Sequence, residues 1–408
     1  MAGVLEGLKV VSMERNIAGP LASACMADWG ADVIRVEPPT EEESGGERGR
    51  PTKAKVNPDF QFRNRNKRSL AVDLKKEAGR DILYRLVQQA DVFLSNYQSS
   101  SLKKLGMDYE SLSRLNPKLI YAIVTGYGAK GPDKDEGALD KVAWWARSGI
   151  QDVITEPGVS SVQQPPGLGD INVAIYLVAG ILGALFHREK TGQGQELELS
   201  LFHCGIWGNF KFILNALNGL PVRKPDRTKE ERPMHNVYRT KDDRWLLLSM
   251  STDLHWTVFC RAVERPALEN DPRFNTMAGR RENCEELVRL LDGIFAARTL
   301  DDWEKRCREH HLIYSKVQTP AEVINDPQAL ANDFFVDLPH PEGTVKIINS
   351  PMNFRQNPAS VKTPAPELGQ HNEEILLDLG YSREEITRLK EQGVIPDKSR
   401  LGVPSLEG

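Results

Sequence analysis

Short β-branched runs alternate with helical patterns through the first third of the chain. Residues 8–13 (LKVVSM) read as a first strand, and the loop Glu14-Arg15-Asn16-Ile17-Ala18-Gly19 leads into Pro20, a residue suited to the first turn of a helix. That helix covers residues 21–29 and stops at Gly30, and residues 31–37 (ADVIRVE) form a second strand. A βαβ unit this compact implies parallel strands and a right-handed crossover. The alternation then repeats, with a strand at 69–74, an amphipathic helix at 76–89 and a strand at 91–96. Two short helices follow, around Leu102 and over 109–115, and then a strand at 118–125. The pattern predicts an open, Rossmann-like parallel α/β sheet with ligands at the carboxyl ends of its strands. Residues 41–66, rich in Glu, Arg, Asn and Lys, read as a long surface excursion.

The pattern changes at residues 165–201. A turn of two prolines and two glycines (Pro165, Pro166, Gly167, Gly169) places Asp170 just before a long apolar helix reaching about Arg188. The run Thr191-Gly192-Gln193-Gly194 stops it, and the alternation of Glu196, Leu197, Glu198 and Leu199 marks another strand. Asp is a favoured N-cap, so one reading makes Asp170 a helix cap. The other starts from Gly167 and Gly169, which lack Cβ atoms and let backbone N–H groups and a ligand approach the carboxylate. A carboxylate so placed is a nucleophile for a carbonyl carbon, and the helix N-terminus predicts that it is ionised at neutral pH.

An apolar, aromatic helical segment fills 201–220, followed by a charged, aperiodic linker over 221–233. Strand patterns at 236–238 and 244–250 flank the turn Lys241-Asp242-Asp243, and amphipathic helices follow. His310 and His311 have no partner at metal-ligand spacing. Beyond, 326–335 reads as helix, 336–353 as short strands about Pro341-Glu342-Gly343, and 380–390 as a final helix; from 397 on the chain reads as loose. The organisation expected is therefore a large α/β domain beginning at 1–200, a helical linker at 201–233, a small α+β domain at 234–330, and a C-terminal part at 331–408.

Composition narrows the function. A formal charge of −4 gives no general attraction to nucleic acid or anionic membranes. The longest apolar run, residues 175–186, is too short to span a bilayer. The first residues lack the charged and apolar regions of a signal peptide, and five scattered cysteines without C-x-x-C spacing read as reduced thiols, so a cytoplasmic protein without metal is expected. No G-x-G-x-x-G follows the first strand, which counts against a nicotinamide dehydrogenase. Lys67, Arg68, Lys75, Lys76, Lys103 and Lys104 recur near predicted strand ends, and with the helix start at Pro20 they point to a phosphate-bearing ligand.

The chain resembles the family III CoA-transferases (CaiB/BaiF type) from about residue 5 to residue 390. The likeness is carried by AGP at 18–20, GADVIRVE at 30–37, NKRSLAVDLK at 66–75, ADVFLSN at 90–96, TGYGAKGP at 125–132, GLGD at 167–170, HREKTGQGQ at 187–195 and ELGQH at 367–371. The resemblance implies that Asp170 is a covalent nucleophile, passing through a mixed anhydride and an aspartyl-CoA thioester. It implies support from Asp140, Gly167 and Gly169. It assigns coenzyme A contacts to Ile17, Ala18, Val72, Asp73, Leu74, Lys75, Asn96, Tyr97, Gln98 and Lys104. Pro38 stands where some members carry a phosphate-binding arginine. An interlocked homodimer is implied, with each active site between the large domain of one chain and the small domain of the other.

Two alternatives stand beside it. An α-methylacyl-CoA racemase shares the fold but needs a histidine where Leu139 stands, and the chain has no histidine before His187. A subunit of a hetero-oligomeric CoA-transferase, such as a benzylsuccinate type, is the other. The 125–135 and GLGD segments most resemble members acting on aryl- or branched 2-hydroxy acids, and Trp144, Trp145, Trp207, Phe210 and Phe212 are candidates for an apolar acyl pocket.

Overall fold

The computed structural model describes residues 2–43, 46, 48, 54–224, 226–229, 232–250 and 252–397. Expectations for the remaining residues, which fall mainly in the 41–66 excursion, the 221–233 linker and the tail, lie outside the described ones. The chain forms two compact units. One comprises Met1–Ile150, Gln163–Leu214 and Leu330–Gly408, and the other Gln151–Val162 and Asn215–Ala329.

The larger unit holds six strands: β1 (Lys9–Met13), β2 (Asp32–Glu37), β3 (Arg68–Ala71), β4 (Val92–Ser95), β5 (Ile120–Thr125) and β6 (Gln195–Ser200). Its helices include α1 (Ala18–Asp28), α2 (Pro58–Asn64), α3 (Glu77–Gln89), α4 (Ser99–Leu105) and α5 (Tyr109–Leu115). After the short α6 (Ile150–Val153) come α7 (Leu168–Thr191), α8 (Leu201–Gly208) and α9 (Phe210–Leu217).

All six strands run parallel in the order β3-β2-β1-β4-β5-β6. Strand order reverses beside β1, where Val10 pairs with Val33 of β2 on one side and Val92 of β4 on the other. The connections leaving β1 and β4 diverge to opposite faces there, which opens a crevice beyond the strands' carboxyl ends.

Side chains alternate between two cores, as strand geometry demands. Val10, Leu94, Ala122 and Val124 pack with Ala22 and Met26 of α1 and Val173, Leu177 and Ile181 of α7. Val11, Phe93, Tyr121 and Ile123 pack with Leu83 and Val87 of α3, Leu112 of α5, and Leu376 and Leu389 from the C-terminal helices Asn372–Asp378 and Arg383–Glu391. Each large aliphatic side chain so buried contributes about 1.5–3 kcal/mol. The C-terminal segment also closes the edge of β3. Asn372 accepts from the Ala71 amide at 2.8 Å and donates to its carbonyl at 3.0 Å, while His371 Nδ1 accepts from the Ser69 amide. An edge covered this way offers no free ladder to another strand.

Three expectations change. The polar excursion contains α2, started by Asn57, whose side chain accepts from the amides of Asp59 and Phe60, and by Pro58 at the first helical position. Helix α7 begins two residues before Asp170, and its N-cap is Gly167 at φ 78°; Asp170 is a first-turn residue and not the cap. At 24 residues, α7 is also long and apolar enough by length and composition to cross a membrane, unlike the shorter run read from sequence. Its inner residues Val173, Leu177, Ile181 and Ala184 instead belong to the protein core.

The smaller unit has an antiparallel sheet of β7 (Val237–Arg239), β8 (Trp245–Leu248) and β9 (Tyr314–Lys316). Around it, helices Asp253–Ala262, Cys284–Phe295 and Leu300–Glu309 bury Trp256, Phe259, Phe295 and Trp303. The hairpin β10 (Phe335–Leu338) and β11 (Val345–Ile348) returns to the larger unit.

Candidate active site

The turn from β1 into α1 forms one wall of the crevice, and the turn after β4 forms the other. Asn96 ties them together: its Oδ1 accepts from the Arg15 amide at 2.8 Å, and its Nδ2 donates to the Arg15 carbonyl at 2.7 Å. Asn16 takes the left-handed conformation at φ 59°, which Asn tolerates better than most residues. Behind the turn, Lys67 Nζ lies 2.6 Å from Glu14, and the Ser23 hydroxyl donates to the same carboxylate at 2.8 Å.

Two cavities open at these strand ends. The first, about 100 Å³, is lined by Asn16, Ala18, Asn96, Tyr97, Gln98, Ser99, Val124, Thr125, Gly126, Lys134, Glu136, Ala138, Leu139, Asp170 and Leu201. The second, about 240 Å³, is lined by Met13, Arg15, Val36, Glu37, Pro38, Pro39, Glu43, Val72, Asp73, Leu74, Lys75, Tyr97 and Leu105. Tyr97 belongs to both, and Arg15 Nε donates to its hydroxyl at 3.1 Å.

Asp170 enters the first cavity from the first turn of α7. Burial, with the negative charge of Asp140 added to it, pushes its carboxyl up to about 7, against the pull of Arg63. This corrects the expectation of a fully ionised group. A helix N-terminus stabilises a carboxylate by about 0.3–1 kcal/mol at the surface, less than the desolvation and like-charge cost here.

Asp140 is 5% exposed and directly precedes a π-helical turn, Lys141–Arg147. Burial raises its carboxyl too, while the nearby amides of Gly167 and Gly169 pull it down. Those approaches fall outside ordinary hydrogen-bond geometry, and neither Asp140 oxygen has another partner.

The glycines are sterically required. A Cβ on Gly169 would sit 2.3 Å from Asp140 Oδ1 and 2.5 Å from Trp144 Cγ, inside any real contact. Gly167 needs its positive φ, and a Cβ there would also press on Ile17 Cδ1 at 3.0 Å.

The structure gathers most of the residues singled out from sequence around this crevice. Ala18, Asn96, Tyr97, Gln98 and Asp170 line the first cavity, and Val72 to Lys75 with Tyr97 line the second. Ile17 N-caps α1 beside Gly167. Lys104, exposed in the last turn of α4, lines neither cavity.

Two basic candidates for a phosphate are already committed. Lys67 is buried on Glu14, and breaking such a pair costs about 3–5 kcal/mol. Arg68 starts β3 at the opposite end of the sheet and pairs with Asp32, Glu374 and Asp378. The aromatic candidates for an acyl pocket are not brought together at these cavities. Trp144 and Trp145 are core residues, Trp207 and Phe210 are exposed, and none of the five candidates lines either cavity.

Arg15, Glu43, Arg63, Lys134 and Glu136 are new at the site. For Arg63 the available signal was Asn57-Pro58, a helix start inside an otherwise polar run. Among the described residues no group of three or more His, Cys, Asp or Glu is arranged to hold a metal.

A doubly wound parallel sheet, with paired clefts at its switch point and a carboxylate of raised pKa in one of them, defines an α/β enzyme of the nucleotide-binding type. The chain belongs to CoA-transferase family III, whose profile matches residues 5–372. It is 34% identical to an (R)-2-hydroxy-4-methylpentanoate CoA-transferase of Clostridioides difficile, across 96% of this chain and 99% of that one. A cinnamoyl-CoA:phenyllactate CoA-transferase of Clostridium sporogenes is 31% identical across 95% and 96%. The crystal structure of a CAIB/BAIF family protein from Brucella suis superposes with a TM-score of 0.81 at 29% identity, covering 93% of this chain and all of that one. The chain is thus a CoA-transferase, moving CoA between an acyl-CoA and a carboxylic acid.

Proposed function

We propose that this enzyme transfers CoA to an aryl- or branched 2-hydroxy acid through a thioester on Asp170. The observation that carries the mechanism is the half-buried Asp170 carboxylate inside a polar cavity at the sheet's switch point. The substrate class is supported by the acids named in the two relatives above.

An Asp170 oxygen attacks the thioester carbonyl; the C–S bond breaks, CoA leaves as thiolate, and a mixed anhydride remains. The thiolate then attacks the Asp170 carboxyl carbon, expelling the donor acid as carboxylate and leaving aspartyl-CoA. The acceptor carboxylate repeats these steps in reverse, so each bond broken is replaced and no proton or ATP is consumed. Val72 to Lys75, Arg15 and Tyr97 serve the nucleotide end of CoA, and Asn96 and Gln98 its reactive end. Asp140, Gly167 and Gly169 set the geometry of the nucleophile's turn.

The test is intact-protein mass after incubation with acyl-CoAs of aryl and branched 2-hydroxy acids. An adduct of CoA mass, removed by hydroxylamine, is expected. Exchange of the substrate's α-proton in deuterated water without any adduct would sink the reading in favour of an isomerase.

The working form we propose is a cytoplasmic homodimer of interlocked chains. Ile171, Ile175 and Phe186 form an exposed apolar stripe on α7, with Trp207 and Phe210 exposed on α8 and α9. Apolar surface of that extent is characteristic of an interface. Sedimentation velocity is expected to give twice the 45.7 kDa chain mass, and a monomer at micromolar concentration would refute it.

A further inference from the structure

We infer that Arg63 is a positioning residue of the transfer reaction: it fixes the Asn16 turn that lines the cavity of Asp170 and places a positive charge behind that turn. The inference rests on the reading of Asp170 as nucleophile.

Arg63 lies in the last turn of α2, with its side chain 1% exposed. One edge of the guanidinium is held by Asp59 a turn earlier, through Nε at 3.1 Å and Nη2 at 2.6 Å. The remaining nitrogen, Nη1, donates to the Asn16 carbonyl. Asn16 is the left-handed residue of the β1–α1 turn and lines the cavity that contains Asp170. A rigid fork, clamped on one side and aimed on the other, transmits position in a way a flexible ammonium does not.

The charges around Arg63 sharpen the case. Lys67 is neutralised by Glu14, and Arg35 by Glu37, both pairs fully buried. Asp59, which pairs with Arg63, has a side chain 60% exposed, so water screens that pair more than the two buried ones.

The charged groups acting on Asp170 are Asp140, from the segment before the π-helical turn, and Arg63, from α2; Lys134 and Glu136 stand at the cavity's rim. Of the first two, Asp140 disfavours the carboxylate and Arg63 favours it. When the CoA thiolate attacks the acceptor's carbonyl carbon in the second anhydride, Asp170 is expelled as its carboxylate and negative charge returns to this point; a fixed cation nearby lowers the cost without joining the bonds that change.

The experiment is a carbon-13 NMR titration of protein labelled at aspartate carboxyls, in which the Asp170 signal is identified by its loss in Asp170→Asn. Arg63→Gln is expected to raise the Asp170 midpoint by about one pH unit. Arg63→Lys, which keeps the charge, is expected to stay within about 0.3 unit of wild type. Asp59→Asn removes the counter-charge and is expected to lower the midpoint by a few tenths of a unit.

In adduct formation, Arg63→Gln is expected to lose roughly fivefold at pH 7 and recover most of it by pH 9, with KM for the acyl-CoA within about threefold of wild type. An unchanged midpoint in Arg63→Gln, or a loss equal at every pH, would show a merely structural side chain and overturn the inference. Should Arg63→Gln not fold, Asp59→Asn decides, because an unmoved or raised midpoint there overturns it as well. The titration needs no substrate. Wild type that forms no adduct would therefore refute the nucleophile reading separately from the electrostatic role of Arg63.

Discussion

Asp170→Asn is expected to lower CoA transfer by about four orders of magnitude or more and to abolish the CoA adduct, because the amide cannot form the anhydride. The same variant is expected to be more stable than wild type at pH 8. The Asp170 carboxyl titrates near 7 in the folded chain, against an ordinary value of 3.8. Between those values the folded state binds more protons than the unfolded one, so its stability falls as pH rises from about 4 to 7. Above 7 the whole cost of holding the buried anion is present, and the neutral amide removes it. Allowing for solvent in the cavity and for the lost favourable charge at the helix start, the gain is about 2 kcal/mol at pH 8 and close to nothing at pH 4. Thermal melts across that range check it. A variant less stable than wild type at pH 8 would mean that Asp170 is satisfied rather than strained. In wild type the rate of adduct formation is expected to rise with pH through a midpoint near 7 and to level off about one pH unit higher, as the Asp170 carboxyl ionises.

Gly169→Ala is expected to carry the second largest effect, a loss of transfer of about a hundredfold or more, with about 2–3 kcal/mol of destabilisation. The added methyl group has no space. It would meet Asp140 Oδ1 at 2.3 Å on one side and the Trp144 ring at 2.5 and 2.6 Å on the other. Trp144 is a core residue in edge contact with Trp145, so the ring cannot yield without disturbing its neighbours. The first turn of α7 has to move instead, and it takes Asp170 with it. Steady-state kinetics and denaturant melts of the pure variant check this. Near-normal kcat with only a raised KM would show that the turn tolerates displacement and that Asp170 keeps its aim.

The sheet was legible because its signal is local. β-branched runs such as LKVVSM and KLIYAIVT have few other structures open to them, and all five strands read from the first 125 residues exist, with boundaries shifted by at most a few positions. Helix α2 escaped because seven residues in a polar run carry little periodicity, although Asn57 and Pro58 marked its start. Its omission hid Arg63. The aromatic candidates for an acyl pocket were not gathered at the cavities for the opposite reason. Aromatic residues close in sequence invite grouping, but Trp144 and Trp145 turn inward while Trp207 and Phe210 lie at the surface.

What the sequence determined by itself is the alternation of strand and helix, the glycine turn before α7 and the resemblance that singles out Asp170, all properties of residues near one another along the chain. The tertiary structure alone decided the chemistry of that carboxylate. Asp140 is thirty positions away and Arg63 more than a hundred, and neither distance in sequence says that their charges act on Asp170 in opposite senses. It also decided which basic residues remain free for a ligand, by burying Lys67 on Glu14 and spending Arg68 on three carboxylates at the far end of the sheet. The physical reason is that burial and Coulomb interaction depend on separation in space, and only the folded chain sets that separation.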